Sequence, residues 1–343
     1  MLSNTAPRRR QSLYWRAVPR ILLTHSPEAL ERYYGARALA GLRDLGEVTL
    51  HPGSEPLQGE DLIAAAAGCE LIVSYRQSPA PAALFERLPG LSAFLRCAVD
   101  IRNIDVDAAS RAGVLVTQAS AGFVPAVTEL VLGFLVDLSR GISRAAATYH
   151  AGRVPEAATG RELRNAAIGI IGYGAIGREV ARVARALGMR VLISDPHVRD
   201  VEQTPLDELL ARSDYVVPLA TATAQTENLM NDAAFEKMKP GAFFVNVSRG
   251  NLVDEAALAR ALDSGRIAGC ALDVGRAPDQ MPTPALAARP DVIATPHCAG
   301  LTQPAIEHQS LETVAQAAEI LKGRAPRGAV NAGHWTRKGL LKP

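Results

Sequence analysis

The residues from Gly172 to Gly177 have the types and the spacing of a turn that binds a dinucleotide. An apolar run, Ile168-Gly169-Ile170-Ile171, leads into Gly172-Tyr173-Gly174-Ala175-Ile176-Gly177, and a segment with helical periodicity follows. In such a turn the first glycine permits the tight bend, the second lets the main chain approach a pyrophosphate, and the third lets the helix pack on the strand. The start of the helix then offers free N–H groups and the positive end of the helix dipole to the phosphates.

An acidic residue stands where a dinucleotide-binding unit needs one. A second apolar run, Val191-Leu192-Ile193, leads to Asp195, which lies 18 residues after Gly177. A carboxylate in this place can accept hydrogen bonds from both ribose hydroxyls of NAD, and it would repel the additional phosphate of NADP. Because Pro196 and His197 follow instead of an arginine, the sequence predicts NAD as the cofactor, with NADP less favoured.

Two series of alternating strands and helices are predicted to position these residues. In the first series the apolar runs predict strands at Ile21–Thr24, Val48–Leu50, Leu71–Tyr75, Ala93–Val99 and Val114–Thr117. In the second they predict strands at Ala167–Gly172, Arg190–Ser194, Tyr215–Leu219, Ala242–Asn246, Ile267–Leu272 and Val292–Thr295. Helical periodicity predicts long helices at Pro27–Leu45, Val127–Tyr149 and Pro304–Lys322, with shorter ones between the strands. Such alternation is typical of parallel sheets that carry helices on both faces.

Length, charge and composition narrow the class of protein. A chain of 343 residues is long enough for about two domains, and 48% of its residues are hydrophobic. No apolar run reaches the roughly 18 residues that span a bilayer, and the sequence lacks a signal-peptide core. The chain has a formal net charge of +2, and without the five arginines of residues 1–20 the remaining residues have a net charge of −3. We therefore expect a cytoplasmic protein whose folded part binds neither nucleic acid nor membranes, preceded by a disordered basic tail at residues 1–20.

The four cysteines give no indication of a metal site. Cys69, Cys97, Cys270 and Cys298 show no Cys-x-x-Cys spacing, and three of them lie in or beside predicted core strands. Reduced thiols and the absence of a bound metal are therefore expected. Cys298 follows His297 directly, but the sequence around it has no partner for a nucleophile or for metal binding, so we expect it to fill space.

Three polar stretches at the predicted strand ends complete a recognisable pattern. They are Asn246-Val247-Ser248-Arg249-Gly250, Ala271-Leu272-Asp273-Val274 and Thr295-Pro296-His297. With the glycine turn, they make the chain resemble the D-isomer-specific 2-hydroxyacid dehydrogenases over about residues 21–325. The resemblance implies an α/β fold, in which a doubly wound Rossmann nucleotide-binding domain is inserted into a smaller flavodoxin-like substrate domain. The expected ranges are 123–300 for the first domain, 21–122 with 301–330 for the second, and 331–343 for a C-terminal tail.

The resemblance also implies roles for individual residues in hydride transfer between NAD and a 2-oxo or 2-hydroxy acid. His297 would be the acid/base, because imidazole titrates near neutral pH, and Arg249 would bind the substrate carboxylate through its forked guanidinium. Asp273 would lie near the nicotinamide carboxamide, and the alternative is a buried capping acid. The other cofactor-binding positions carried over are Gly172, Gly174, Ala175, Ile176, Gly177, Asp195, Thr221, Val247, Ser248 and Gly300, and the substrate-binding positions are Arg76, Ala98 and Val99.

Two departures from the family pattern concern the substrate half of the site. The family usually has a glutamate that hydrogen-bonds the catalytic histidine, and Pro278 occupies that position here. We expect Asp279, one residue later, to take the role, and the alternative is a solvated turn residue. In the substrate loop Ala98 and Asp100 replace glycines, and Asp100 is expected to pair with Arg102.

Some alternatives remain open from the sequence. Arg76 could be a surface arginine, and Phe123 stands where the family often has a cofactor-facing asparagine. The leading functional hypothesis is an NAD-dependent D-2-hydroxyacid dehydrogenase that acts as a homodimer on a small molecule. The alternative is a non-enzymatic NAD-sensing protein on the same fold.

Overall fold

The computed structural model describes residues 18–341 and divides into two compact units. The first unit contains the residues up to Ser120 and those from Ile306 onward, and the second unit is Ala121–Ala305. Most of the basic segment that the sequence predicts to be disordered, residues 1–17, lies outside the described residues. Within residues 18–341, no helix combines the length and the apolar character needed to cross a membrane.

The first unit is a parallel sheet with helices on both faces. Its elements are β1 (Arg20–Leu23), α1 (Pro27–Tyr33), α2 (Ala36–Arg43), β2 (Glu47–Leu50), α3 (Gly59–Ala65), β3 (Leu71–Ser74), α4 (Ala82–Arg87), β4 (Ala93–Arg96), α5 (Val106–Arg111) and β5 (Leu115–Gln118). The strand order in the described part of this unit is β2-β1-β3-β4-β5. This is the flavodoxin-like order, so the chain direction across the sheet reverses between β1 and β3.

The inner strands of the first unit, β1, β3 and β4, are mainly apolar on both faces, as buried parallel strands usually are, whereas the edge strand β2 is exposed at every second residue. Leu22, Ile72 and Phe94 pack in one cluster with side chains of α3, α4 and α5. Alternate residues, among them Leu23 and Val73, pack in a second cluster on the opposite face. This alternation fixes the register, since a shift by one residue would exchange the two faces.

The second unit contains six parallel strands among its described residues. Its elements are α6 (Val124–Arg140), α7 (Ile142–His150), β6 (Ala167–Ile171), α8 (Ala175–Ala186), β7 (Arg190–Ser194), α9 (Leu206–Arg212), β8 (Tyr215–Pro218), α10 (Asp232–Lys237), β9 (Ala242–Asn246), α11 (Glu255–Asp263), β10 (Ile267–Leu272), α12 (Pro284–Ala287) and β11 (Val292–Ala294). The strand order is β11-β10-β9-β8-β6-β7, and the reversal lies beside β6, between β6 and β8. The doubly wound architecture predicted from the sequence is confirmed.

Two long helices of the prediction are each divided in the structure. Pro27–Leu45 is broken at Gly35, with φ of 85°, and Val127–Tyr149 is broken at Gly141, with φ of 64°. Gly141 adopts the left-handed α conformation that ends many helices, whereas Gly35 has a positive φ with an extended ψ of 158°. Both conformations suit glycine, and periodicity alone does not reveal such a break. The last helix, α13 (Gln303–Leu321), matches its predicted range within one residue at each end.

The C-terminal segment that the sequence predicts to be a tail packs on the first unit up to Leu341. Residues Ala332–His334 and Arg337–Leu341 form short 3-10 turns, and Trp335 is 5% exposed. The Trp335 indole N–H donates to Ser92 Oγ at 3.2 Å, and the Arg337 guanidinium donates to the main-chain carbonyl of Leu88 at 2.7 Å. Up to Leu341, this segment is therefore part of the first unit because it contributes to the core of that unit.

Candidate functional site

The glycine turn at the end of β6 is held in place by close packing. Gly172 has φ of 99°, and a Cβ at this residue would lie 2.6 Å from the main-chain nitrogen of Ala220. A Cβ at Gly177 would lie 2.3 Å from the carbonyl oxygen of Gly172. Any side chain at either position would collide with main-chain atoms, so both glycines are needed for the turn itself.

Gly174 differs because a side chain there would meet nothing in the protein. Among the described residues, no heavy atom outside its own neighbours lies within 4 Å of a Cβ built on Gly174. Gly174 and Ala175 are both exposed, and Gly174 is the N-cap of α8 without a side chain to accept from the first N–H groups. The open space in front of the start of α8 fits a pyrophosphate, which would accept hydrogen bonds from these N–H groups.

Asp195 follows β7 and lies next to the glycine turn. Its Oδ2 accepts from the Tyr173 main-chain N–H at 2.7 Å, and its Oδ1 accepts from the His197 main-chain N–H at 2.9 Å. A carboxylate has about four lone-pair sites, so the carboxylate of Asp195 can also accept from two ribose hydroxyls. The residues present therefore fit the adenosine half of NAD.

The other predicted cofactor-binding residues lie on the loops that follow β8, β9 and β11 or in the first turn of α8. Thr221 is exposed, Val247 is buried, and Ile176, Ser248 and Gly300 are half-buried. Ligands of an open parallel sheet bind outside the carboxyl ends of its strands. The second unit thus presents these residues at the edge where a cofactor is expected, and their individual contacts with a cofactor stay predictions.

The turn that carries Arg249 is shaped by Asn246, a residue of the same polar stretch to which no individual role was assigned from the sequence. Asn246 ends β9 and is 1% exposed. Its Oδ1 accepts from the Ser248 main-chain N–H at 3.0 Å, and its Nδ2 donates to the Arg249 carbonyl at 3.0 Å. The half-buried Arg249 guanidinium donates to the Ser248 carbonyl at 2.8 Å. The sequence signal that points to Asn246 is its polar side chain at the end of an apolar strand.

Asp273 holds the loop on which His297 lies. It is 0% exposed and accepts from Thr295 Oγ1 at 2.5 Å, from the Cys298 N–H at 2.8 Å and from the Ala299 N–H at 2.9 Å. These bonds agree with the alternative interpretation, in which Asp273 is a buried capping acid. Thr295 lies in the same polar stretch as His297, but no individual role was assigned to it from the sequence. The role of Asp273 beside the nicotinamide stays a prediction.

Cys298 has the environment of an unreactive thiol. Burial, together with the nearby carboxylate of Asp273, raises the pKa of its thiol. Because thiolates and not thiols are nucleophiles, this supports the space-filling role. The other cysteines, Cys69, Cys97 and Cys270, are buried, and all four are free.

His297 is oriented by a main-chain atom. Its Nδ1 lies 2.8 Å from the carbonyl oxygen of Asp279. Asp279 and Gln280 have φ of 54° and 58°, and the loop is closed by a hydrogen bond from the Gly275 N–H to the Gln280 carbonyl at 2.8 Å. Asp279, the predicted partner of His297, therefore lies beside it, and the contact with Nδ1 is made by the main-chain carbonyl of Asp279.

The substrate-binding residues predicted in the first unit follow β3 and β4. Arg76, Ala98 and Val99 are all half-buried. The predicted pairing in this loop is confirmed, since Arg102 donates to Asp100 through Nε at 3.0 Å and through Nη2 at 2.6 Å.

Arg96, which sequence reasoning missed, connects the loops after β3 and β4. It is 0% exposed and donates to the carbonyl of Tyr75, to the carbonyl of Ser78 at 2.9 Å and to Asn103 Oδ1 at 2.7 Å. Asn103 Nδ2 in turn donates to the Arg76 carbonyl at 3.1 Å. Burial lowers the pKa of Arg96 to about 10, so the side chain remains a buried cation at neutral pH.

Comparison with known proteins shows which family the chain is similar to. Residues 132–299 match the family model described as D-isomer specific 2-hydroxyacid dehydrogenase, NAD binding domain. Over 285 residues the chain is 34% identical to D-3-phosphoglycerate dehydrogenase of Rattus norvegicus, and the match covers 80% of this chain and 53% of the relative. The chain thus spans about half the length of the curated relatives that it matches.

Two solved structures are similar over most of their length. The TT0316 protein of Thermus thermophilus has a TM-score of 0.81 and 30% identity, and the match covers 91% of this chain and 99% of that one. The apo structure of D-lactate dehydrogenase of Escherichia coli has a TM-score of 0.77 and 26% identity, with coverage of 91% and 99%.

Proposed function

This chain belongs to the D-isomer specific 2-hydroxyacid dehydrogenase family, and we propose that it is an NAD-dependent oxidoreductase acting on a small 2-oxo or D-2-hydroxy acid. The reaction would transfer a hydride between the nicotinamide and C2 of the substrate. The observation that most supports this function is the orientation of His297 by the Asp279 carbonyl, because binding NAD alone requires no such arrangement.

When bound, NAD(H) would supply the hydride or accept it. The N–H groups at the start of α8, in front of Gly174, would hold the pyrophosphate, and Asp195 would accept from the ribose hydroxyls. The start of α8 and Asp195 both belong to the second unit. The N–H groups of α8 could still donate to the cofactor, and the Asp195 carboxylate could still accept from it beside its two main-chain hydrogen bonds.

His297 would exchange the proton at the substrate oxygen. A carbonyl oxygen only accepts hydrogen bonds, so the contact with Asp279 requires the proton on Nδ1. Nε2 is then the nitrogen that gains or loses a proton during the reaction. Arg249 would bind the substrate carboxylate and polarise the neighbouring carbonyl, because a guanidinium matches a carboxylate with two parallel hydrogen bonds.

Asp273 would act through the loop that it organises. By accepting from Thr295, Cys298 and Ala299 it fixes the main chain on both sides of His297. The predicted substrate-binding residues of the first unit, Arg76, Ala98 and Val99, remain part of this proposal, as does a homodimer, which light scattering on the purified protein would test.

The alternative, an NAD-sensing protein without activity, is not favoured. Sensing NAD requires the glycine turn and Asp195, but it does not require a guanidinium and an oriented imidazole at the substrate end. The chain retains both Arg249 and His297.

The test is turnover on a panel that includes the chemistry of the named relatives. We would follow NADH oxidation with glyoxylate, pyruvate, hydroxypyruvate and 2-oxobutyrate, and NAD reduction with D-3-phosphoglycerate. The expected result is turnover of at least one compound, with a loss of about 10²- to 10⁴-fold in His297→Ala and unchanged NADH affinity. Tight NADH binding without turnover of any compound would favour the sensor.

A further inference from the structure

Arg276 lies on the loop after β10 and contacts the loops that follow β8 and β9. Its Nη2 lies 2.9 Å from Glu227 Oε1 and 2.5 Å from Asn228 Oδ1, and both acceptors belong to the loop after β8. Its Nε donates to the Val253 carbonyl at 3.2 Å, in the loop after β9. Since all these residues belong to the second unit, one guanidinium joins the loops at the carboxyl ends of three adjacent strands.

The main chain around Arg276 is held as well. The Arg276 N–H donates to Glu255 Oε1 at 3.0 Å, and Glu255 is the first residue of α11. A Cβ on Gly250, the residue after Arg249, would lie 2.0 Å from the carbonyl oxygen of Gly275. The loops after β9 and β10 are therefore in main-chain contact, and the start of the loop after β10 cannot move without breaking the contacts of Arg276.

The rest of this loop has main-chain angles that its own residues do not favour. Asp279 and Gln280 have left-handed φ of 54° and 58°. Such angles cost free energy in residues other than glycine and persist only where the surroundings hold them. The Gln280 carbonyl accepts from the Gly275 N–H at 2.8 Å, and Arg276 directly follows the donor of this bond. The contacts of Arg276 therefore hold the segment on which the left-handed residues are closed.

We propose that Arg276 is a positioning residue for hydride transfer, because it holds this loop in the conformation that places the Asp279 carbonyl against His297. This role rests on the proposed function, in which the carbonyl keeps the proton on Nδ1 and leaves Nε2 to exchange the substrate proton. Without the guanidinium the loop can relax toward favoured main-chain angles. The carbonyl then moves away, and neither the tautomer nor the orientation of the imidazole is fixed.

Other parts of the proposed site have anchors of their own. Asn246 holds the turn of Arg249 through two hydrogen bonds, and Thr226 Oγ1 donates to the Thr221 carbonyl at 2.7 Å. Loss of the Arg276 guanidinium should therefore affect the proposed acid/base more than the binding of the cofactor or of the substrate carboxylate. The expected signature is a lower kcat with nearly unchanged KM and NADH affinity.

The kinetic test compares Arg276→Met with Arg289→Met. Methionine keeps an unbranched side chain that cannot donate hydrogen bonds. Arg289 is the matched control, because its guanidinium pairs with Asp263 at 2.7 Å and with Asp291 at 2.9 Å at the amino end of β11. We expect kcat of Arg276→Met to fall at least about tenfold, with KM and NADH affinity within about threefold of the wild-type values. Arg289→Met should keep the wild-type kcat.

A second measurement reports on His297 without turnover. Long-range ¹H–¹⁵N NMR on protein labelled with ¹⁵N-histidine distinguishes protonated from unprotonated ring nitrogens, and the His297 signals are those lost in His297→Ala. At a pH at which the ring is neutral, we expect the proton on Nδ1 alone in the wild-type protein and in Arg289→Met, and a mixture of both tautomers in Arg276→Met. Arg276→Lys, which keeps the charge but not the fork of donors, should lie between.

The outcomes separate the role of Arg276 from the proposed function. A folded Arg276→Met that keeps the proton on Nδ1 of His297 would overturn this role even if kcat falls, because loosened packing would then explain the loss. An unchanged kcat would contradict it as well. If Arg276→Met does not fold, the tautomer of His297 in Arg276→Lys decides in the same way. If the wild-type protein turns over no compound, the proposed function fails, whereas mixed tautomers in Arg276→Met would still support the positioning of His297 by Arg276.

Discussion

The imidazole Nδ1 of His297 lies 2.8 Å from the main-chain carbonyl oxygen of Asp279. Both residues adopt left-handed main-chain conformations, with φ of 51° and 54°, which are uncommon for residues other than glycine. The orientation of the proposed acid/base therefore depends on the conformation of two loops. A side-chain carboxylate, which the family usually supplies, is not the atom that makes this contact.

This relationship predicts the behaviour of Asp279→Asn. Asparagine tolerates the left-handed conformation and leaves the carbonyl in place, so we expect His297 to keep its orientation and kcat/KM at neutral pH to stay within about tenfold of the wild-type value. The measurement is kcat/KM against pH for both proteins. A shift of about one unit or more would show that the carboxylate charge acts on His297, as the sequence alone suggests.

The two glycines at positions 172 and 174 should respond differently to the same substitution. Gly172→Ala places a Cβ against the Ala220 main chain at positive φ, so we expect a loss of about 2 kcal/mol or more in unfolding free energy. Gly174→Ala meets no described protein atom and should leave stability unchanged within about 0.5 kcal/mol. It should still weaken NADH binding at least about tenfold, because the methyl group would occupy the proposed pyrophosphate position. Unchanged NADH affinity in Gly174→Ala by fluorescence titration would contradict this placement.

Asp273→Asn tests the loop that carries His297. The substituted amide can no longer accept all the bonds from Thr295, Cys298 and Ala299, and each unpaired buried donor costs about 1–3 kcal/mol. We expect lower stability and a fall in kcat of at least about tenfold from misorientation. Urea unfolding and steady-state kinetics would measure both. Weaker NADH binding with unchanged stability would instead indicate a direct role beside the nicotinamide.

The secondary-structure elements, and the glycine turn with Asp195 beside it, were predictable because their signals are local. Continuous apolar runs predicted Arg190–Ser194, Ala242–Asn246 and Ile267–Leu272 with the bounds that the structure has. The glycine spacing and the acid at Asp195 are likewise read within one stretch of chain. By contrast, Gly141 sits inside an uninterrupted helical periodicity, and only its left-handed conformation separates α6 from α7.

The rest of the site depends on contacts between residues that lie far apart in the sequence, and such contacts leave no local pattern. The Asp279 carbonyl reaches His297 across 18 residues only because two consecutive non-glycine residues adopt left-handed conformations. In the first unit, the strand order likewise brings His25 near Arg96, and neither residue belongs to a motif. A buried arginine or histidine is recognised as unusual only after its burial is known.

Asp195 should control the choice between NADH and NADPH. Its carboxylate lies beside the glycine turn, where it would face the ribose hydroxyls and repel a phosphate. We expect the wild-type protein to prefer NADH by at least about 100-fold, and Asp195→Ser to reduce that preference at least about tenfold. Titration with both cofactors measures this. Equal use of NADH and NADPH by the wild-type protein would contradict the role assigned to Asp195.

The buried His25 should make the stability of the protein depend on pH. Its pKa falls from the ordinary 6.5 to about 3 through burial and the charge of Arg96, so the unfolded chain binds a proton that the folded protein does not. The resulting stability is complete above pH 6.5 and is lost as the pH falls toward 3, amounting to a loss of about 2 kcal/mol at pH 5. His25→Phe removes this contribution, so its stability relative to the wild-type protein should rise by about 2 kcal/mol between pH 7.5 and pH 5 in urea unfolding. Tyr34→Phe, which alters the ring packed beside His25 without titrating in this range, should show no such change. A pH-independent difference for His25→Phe would mean that His25 binds a proton equally well in the folded protein and in the unfolded chain, which would contradict the lowered pKa.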